Sequence, residues 1–257
     1  MSTGTRTGTR TTTGGTRGTG GKSGGRAGAI LSGLAVALGS VLFLGGFVWG
    51  AILYRPYTVP TGSMTPTVDT GDHILAQRID GSEVRRGDIV VFDDALWGDV
   101  PMVKRVVAVG GDKVACCDKQ GRLTVNGKPI DEPYLLDPRA PASPTGFSAT
   151  VPKDNLFMMG DNRATSEDSR VRLTDADDGS VPRSAVNARA DAIAWPSGRM
   201  GMLQRSSAFA GLSGDGPSAP GPLKAVVAAA VGGAVLIFCG AAYGPLARVA
   251  GRRRTAR

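Results

Sequence analysis

Histidine is nearly absent: the chain has one, His73, in 257 residues. A zinc site built on two imidazoles is therefore excluded for this chain alone, and a Ser-His-Asp triad could run only through His73. Cysteine is scarce, with three residues, which excludes a disulfide-dense mini-scaffold. Charged residues make up only 20% against 41% hydrophobic, so the whole chain is not of the disordered class. The 38 glycines have no collagen-like period. Acidic residues are missing from both ends. Residues 1–26 hold Arg6, Arg10, Arg17, Lys22 and Arg26, and residues 248–257 hold Arg248, Arg252, Arg253, Arg254 and Arg257. These tails together carry +10, so the net charge of +8 leaves −2 for everything between them. The basicity belongs to the tails, and no nucleic-acid groove is expected in the folded part.

Charge is also missing from two long stretches. Residues 27–54 include LAVALGSVLFLGGFVWGAIL, and residues 225–247 read AVVAAAVGGAVLIFCGAAYGPLA. A bilayer core needs about 20 apolar residues in helix, and both runs are long enough. A cleaved signal peptide fits the first run poorly: it exceeds the usual hydrophobic region, and bulky YRPYTVP follows where a small-residue cleavage site belongs. Two spans with basic flanks on their outer ends predict both termini in the cytoplasm of a multi-pass plasma-membrane protein. The residues between the spans, 55–222, then lie outside and suffice for one core.

The expected organisation is a disordered basic cytoplasmic tail over 1–26, transmembrane helices over 27–54 and 223–247, and a second basic tail over 248–257. Between them we expect an extracytoplasmic domain over 55–205 and a flexible linker over 206–222. GTGGKS at 18–23 is like a phosphate loop, but the pattern needs glycine where Thr16 stands and no strand precedes it. The exterior domain reads as mainly β. DIVVF (88–92), VKRVVAV (103–109), RLTVNG (122–127) and NLFMMG (155–160) are short runs rich in Val, Ile and Phe. NGK at 126–128 predicts a tight turn, residues 137–150 and 174–184 read as loops, and no long helical period appears between 60 and 200.

Four segments carry chemistry-bearing residues: VPTGSMTPT (59–67), GDIVVF (87–92), VKRVVAVGGD (103–112) and GDNRATSEDSR (160–170). Ser63 sits in a Gly-Ser-Met turn between prolines, a setting that can expose a hydroxyl. A serine nucleophile needs a base. His73 reads as a surface or strand residue, so a Ser–Lys dyad is the better candidate. Neutralising a lysine of reference pKa about 10.4 at pH 7 costs roughly 4.6 kcal/mol. Apolar surroundings lower that pKa, and Val103, Val106, Val107 and Val109 around Lys104 supply them. Strand alternation puts Arg105 on the opposite face, where it need not be buried.

Together, in this order, the four segments resemble bacterial type I signal peptidase, the membrane-anchored serine protease family that removes signal peptides from exported preproteins. The resemblance spans about residues 55–200. It implies a mainly β, signal-peptidase-type domain flanked by two transmembrane helices, with Ser63 as nucleophile, Lys104 as general base and Ser166 as a supporting serine. It further implies that Asp161, Arg163, Asp168 and Arg170 are structural at the site. Thr61 falls where some members supply a hydroxyl to the oxyanion hole, beside the Ser63 N–H. By the same resemblance Val59, Met64 and Val103 would line small apolar pockets, and substrates would carry small residues at the first and third positions before the cut. No cofactor or metal is implied; the partners are preproteins and the lipid bilayer. The loop after Arg170 departs from the family, since RVRLTDADDG replaces its aromatic and glycine residues; Val181-Pro182, Arg189-Ala190 and Trp195-Pro196 agree with it again.

Other readings stay open on the residues alone. A catalytically silent anchored domain needs no dyad, and a self-cleaving repressor-type Ser–Lys protease shares the dyad but not the anchoring. Cys116 and Cys117 are adjacent, and a vicinal disulfide, free thiols or an intermolecular bridge are all compatible with their position. Leu96 and Trp97 fit either a bilayer contact or an ordinary loop.

Overall fold

The computed structural model describes residues 23–212 and 216–255. Residues 1–22 of the tail expected over 1–26, most of GTGGKS and the last two residues lie outside the described residues, while residues 23–26, expected to be disordered, open the first helix. Two helices, α1 (Ser23–Leu53) and α2 (Leu223–Thr255), bracket twelve strands. The stretches Gly28–Leu53 and Leu223–Tyr243 are long and apolar enough to cross a membrane. Most of their large side chains face outward: Leu31, Val41, Phe47 and Phe238 are all exposed. That exposure separates them from the buried helix of a soluble core and fits membrane association.

The chain divides into two compact units. The first joins α1 up to Phe43 with α2 from Val231. Here Ser32 Oγ donates to the Gly240 carbonyl at 2.6 Å. A Cβ on Gly39 would stand 2.7 Å from the Gly233 carbonyl oxygen and 2.9 Å from the Ile237 nitrogen, so only glycine permits this approach. Small residues that let backbones close together are the usual basis of helix pairing in lipid.

The second unit, Leu44–Ala230, holds the sheets. Its strands are β1 (Tyr54–Thr58), β2 (His73–Arg78), β3 (Ile89–Asp94), β4 (Gly98–Val109), β5 (Lys113–Cys116), β6 (Leu123–Val125), β7 (Lys128–Pro129), β8 (Phe147–Thr150), β9 (Asn155–Met159), β10 (Val181–Pro182), β11 (Val186–Trp195) and β12 (Gly201–Met202). One antiparallel sheet runs β1-β2-β11-β3-β4-β9-β10, with β12 on β11; a smaller one runs β7-β6-β5-β8. Only short 3₁₀ turns interrupt the strands between β1 and β12. The architecture is thus mainly β, as the short apolar runs predicted.

Covered faces explain those runs. On β3, Ile89 and Val91 enter one apolar cluster with Met64, Ile74 and Ala190, while Val90 and Phe92 enter another with Val106, Leu156 and Met158. A strand with both faces buried loses the polar alternation of a half-exposed one. At the β6–β7 hairpin Asn126 and Gly127 both take positive φ, 53° and 76°, which is the tight turn expected from NGK.

The structure corrects several expectations. Residues 137–150, read as loop, contain β8, which pairs with β5. Residues 174–184, also read as loop, contain β10, a two-residue partner of β9. Both strands are short and flanked by Pro, Gly or Asp, which hid them. The described residues of 206–222, expected to be flexible, pack on the unit. Phe209 is buried in a cluster with Val107, Leu123 and Phe157. Ser218 Oγ donates to Asp88 at 2.6 Å, and Gly221 N–H donates to Asp191 at 3.1 Å. Arg205 reaches both carboxylates. Asp88 and Asp191 are buried, and buried carboxylates require donors, which this strap brings. Cys116 and Cys117 lie with their sulfurs joined as a vicinal pair. Trp97 makes ordinary loop contacts, edge-on to Phe92 and beneath Arg172, while Leu96 is exposed.

Candidate active site

Ser63 stands in a single 3₁₀ turn, Gly62–Met64. Buried Val59, Met64 and Val68 root the turn in the apolar cluster. The Thr65 N–H closes it on the Gly62 carbonyl, and the Asn162 N–H donates to the Ser63 carbonyl at 3.0 Å. Asn162 Nδ2 donates to the Gly62 carbonyl at 3.2 Å. The nucleophile turn is therefore clamped by the 160–170 segment, 100 residues away in the chain.

Lys104 lies on β4, opposite Val90 of β3, and is 3% exposed. Its Nζ is 2.9 Å from Ser63 Oγ. Burial pulls the Lys104 ammonium below its ordinary range, against the opposing pull of the Asp168 and Glu167 charges. Asp168 is itself engaged: its oxygens accept from Arg170 at 2.8 Å and from the Gly160 N–H at 3.0 Å. Thr61 Oγ1 donates to Ser63 Oγ at 3.3 Å. Three of the residues singled out in the sequence thus meet around one oxygen.

Ser166 comes close but stays apart. It is buried, and its Oγ has no hydrogen-bond partner among the described residues. It packs over Gly160, where a Cβ would overlap both Ser166 Oγ and the Ser63 carbonyl oxygen. Val59, Met64 and Val103 share one buried apolar cluster beside the turn. His73 is exposed, at 3.5 Å from the Thr58 hydroxyl. A cleft of about 510 Å³ lined by Gly121, Ile130, Glu132 and Ala142 lies elsewhere and includes neither Ser63 nor Lys104. Among the described residues, no group of three or more His, Cys, Asp or Glu is placed to hold a metal ion.

The remaining predicted residues form buried ion pairs behind the dyad. Asp168 and Arg170 pair within the 160–170 segment, and Arg170 also donates to the Arg163 carbonyl at 3.0 Å. Asp161 takes two hydrogen bonds from Arg105, at 2.8 and 2.6 Å, and one from Thr67 Oγ1 at 2.5 Å. This corrects the expectation for Arg105, which is 1% exposed. Alternation does turn it away from Lys104, but Asp161, Tyr134 and the Gly87 carbonyl cover it on its own side. Arg163 pairs with Glu132 at 2.6 Å and donates to the Gly160 carbonyl at 3.1 Å. Glu132, Tyr134, Thr67 and Asn162 escaped the sequence reading. The one signal for the first two is an acid and an aromatic flanking Pro133 in an otherwise unremarkable loop.

A family model described as signal peptidase, peptidase S26, matches residues 31–195. Signal peptidase I of Mycobacterium tuberculosis is 34% identical over 227 residues, covering 68% of this chain and 74% of that protein. The probable signal peptidase I of Mycobacterium leprae is 32% identical over 231 residues, covering 67% and 77%. Signal peptidase I of Bacillus licheniformis is 39% identical over 135 residues, covering 48% and 69%.

Proposed function

The chain belongs to the signal peptidase, peptidase S26, family of serine peptidases, and on that premise we propose that Ser63 and Lys104 cleave signal peptides from preproteins through an acyl-enzyme. The observation that carries this reading is the 2.9 Å contact between a buried lysine and a serine hydroxyl. A lysine whose pKa burial lowers is more readily neutral and so better able to act as a base, and a serine within hydrogen-bond reach is what such a base activates.

Neutral Lys104 takes the proton from Ser63 Oγ as the oxygen bonds to the scissile carbonyl carbon. The oxyanion forms beside the Ser63 N–H and the Thr61 hydroxyl, whose distance to Oγ puts it within reach of that charge. Collapse breaks the C–N bond, and the Lys104 ammonium returns its proton to the leaving amine. Lys104, neutral again, takes a proton from water as its oxygen attacks the ester. The second collapse frees the signal peptide as a carboxylic acid, and the same proton restores Ser63. Val59, Met64 and Val103 back this site as an apolar wall, which supports small side chains before the cut. The two apolar helices hold the enzyme at the membrane its substrates cross. We place both termini in the cytoplasm and residues 55–222 outside, on the charge of the tails.

Purified protein incubated with one preprotein, with mass mapping of the cut, tests the reading. Ser63→Ala and Lys104→Ala each abolish processing, and the double variant is no worse, because groups acting as one unit are not additive. Lys104→Arg is equally inactive, since a guanidinium stays charged. Near-normal turnover in Lys104→Arg overturns the lysine-base mechanism.

A further inference from the structure

Tyr134 bridges two ion pairs whose charges act on one another but whose side chains share no hydrogen bond among the described residues. Its ring faces the Arg105 guanidinium at 3.9 Å, and its hydroxyl donates to Glu132 Oε1 at 2.5 Å. Burial and the Glu132 charge raise the Tyr134 hydroxyl well above its ordinary range, so it stays a donor at any working pH. Glu132 also accepts from Arg163, at 2.6 and 2.9 Å.

A continuous path follows. Thr67, in the nucleophile loop, bonds to Asp161; Asp161 bonds to Arg105, the neighbour of Lys104 on β4; Arg105 stacks on Tyr134; Tyr134 bonds to Glu132; Glu132 bonds to Arg163, which holds the Gly160 carbonyl. The path returns to the segment whose Asn162 N–H binds the Ser63 carbonyl. It starts three residues after the serine-bearing turn, passes the lysine-bearing strand, and ends two residues before the Asn162 that binds that turn. Tyr134 itself sits in the loop after β7, outside all four motifs.

We propose that Tyr134 is a positioning residue for the reaction, joining the Arg105–Asp161 and Glu132–Arg163 pairs so that β4 and the Ser63 turn hold the dyad in register. The proposal rests on the Ser63–Lys104 reading. One effect follows from losing the tyrosine. A dyad held less firmly loses rate, since misplacement by about 1 Å costs on the order of 10²-fold. The charges acting on Lys104 are those of Asp168, which pairs with Arg170, and Glu167, and Tyr134 touches none of these, so its loss changes the placement of the dyad rather than the titration of the lysine.

The test compares Tyr134→Phe, which keeps the ring over Arg105, with Tyr134→Leu, which removes both ends of the bridge. Each is assayed on a preprotein, with active sites titrated by an acylating inhibitor and Ser63→Ala and Lys104→Arg as controls. Tyr134→Leu is expected to lose about tenfold or more in kcat, with KM within about threefold and the acid limb of kcat/KM in place. Tyr134→Phe is expected to lose a smaller, few-fold share of kcat and to keep the limb in place. A residue that merely stabilises the fold would lower the active fraction and leave the turnover per titrated site untouched, which overturns the proposal. Should Tyr134→Leu fail to fold, Tyr134→Phe decides: wild-type kcat overturns it. Activity surviving in the controls sinks the dyad itself; inactive controls beside unaltered Tyr134 variants sink only the positioning role.

Discussion

Replacing Gly160 with alanine puts a methyl group where the site leaves no room. The new Cβ would overlap Ser166 Oγ and the Ser63 carbonyl oxygen, and it would stand 2.5 Å from Ser166 Cβ. Ordinary carbon contacts begin near 3.5 Å, so the walls must part by about 1 Å. The Ser63 carbonyl cannot yield alone, because the Asn162 N–H holds it at 3.0 Å. Any shift therefore carries the Gly62–Met64 turn and changes the 2.9 Å approach of Ser63 Oγ to Lys104. A misplacement of about 1 Å is worth on the order of 10²-fold in rate. Overpacking costs about 1–3 kcal/mol, and for a domain of this size each kcal/mol moves Tm by about 2–4 °C. Gly160→Ala should thus turn over about 100-fold more slowly per titrated active site while its Tm falls by about 2–12 °C. Turnover on a preprotein and a thermal melt read both quantities. Wild-type turnover, whatever the Tm, would refute the claim that this glycine sets the nucleophile's place.

The activity should depend on pH in one direction. A base must be neutral in the free enzyme, so kcat/KM rises with pH through the depressed pKa of Lys104 and then levels; a profile flat from pH 5 to 10 would contradict this. The folded form also binds fewer protons at this site than the unfolded chain between that pKa and about 10.4, so stability rises with pH across the same window. His73→Ala should leave the profile unchanged, since the imidazole is exposed beside Thr58. Protease added to intact spheroplasts should leave both termini protected, and digestion of a C-terminal tag would show that α2 does not span or that the chain is inverted. Deleting residues 223–257 should leave an active domain. Deletion from 203 onward should unfold it, because it removes Phe209 from the core, worth about 3–5 kcal/mol, and strips donors from Asp88 and Asp191.

The parts of the site visible in the sequence are those whose chemistry is local. Ser63 announces itself by its Gly and Pro neighbours, and Lys104 by the valines around it. The spans show in their length and missing charge. What the sequence concealed depends on contacts far apart in the chain. Alternation says only that Arg105 need not be buried, and its burial follows once Asp161, 56 residues on, folds against it. Glu132 and Arg163 are 31 residues apart, and nothing local pairs them. The strap over 206–222 is rich in Ser, Gly and Pro, the composition of a linker, yet Ser218 supplies what buried Asp88 lacks 130 residues earlier. Strands β8 and β10 are too short to carry an alternation of their own and exist as partners of longer neighbours.

Rapid acid quenching during turnover of one preprotein, followed by mass mapping of the enzyme, tests the central claim most directly. An acyl-enzyme formed by Ser63 predicts a covalent adduct with the mass of the released signal peptide, located on Ser63 and absent from both Ser63→Ala and Lys104→Arg. An adduct on another residue, or full adduct formation in Lys104→Arg, would contradict the account.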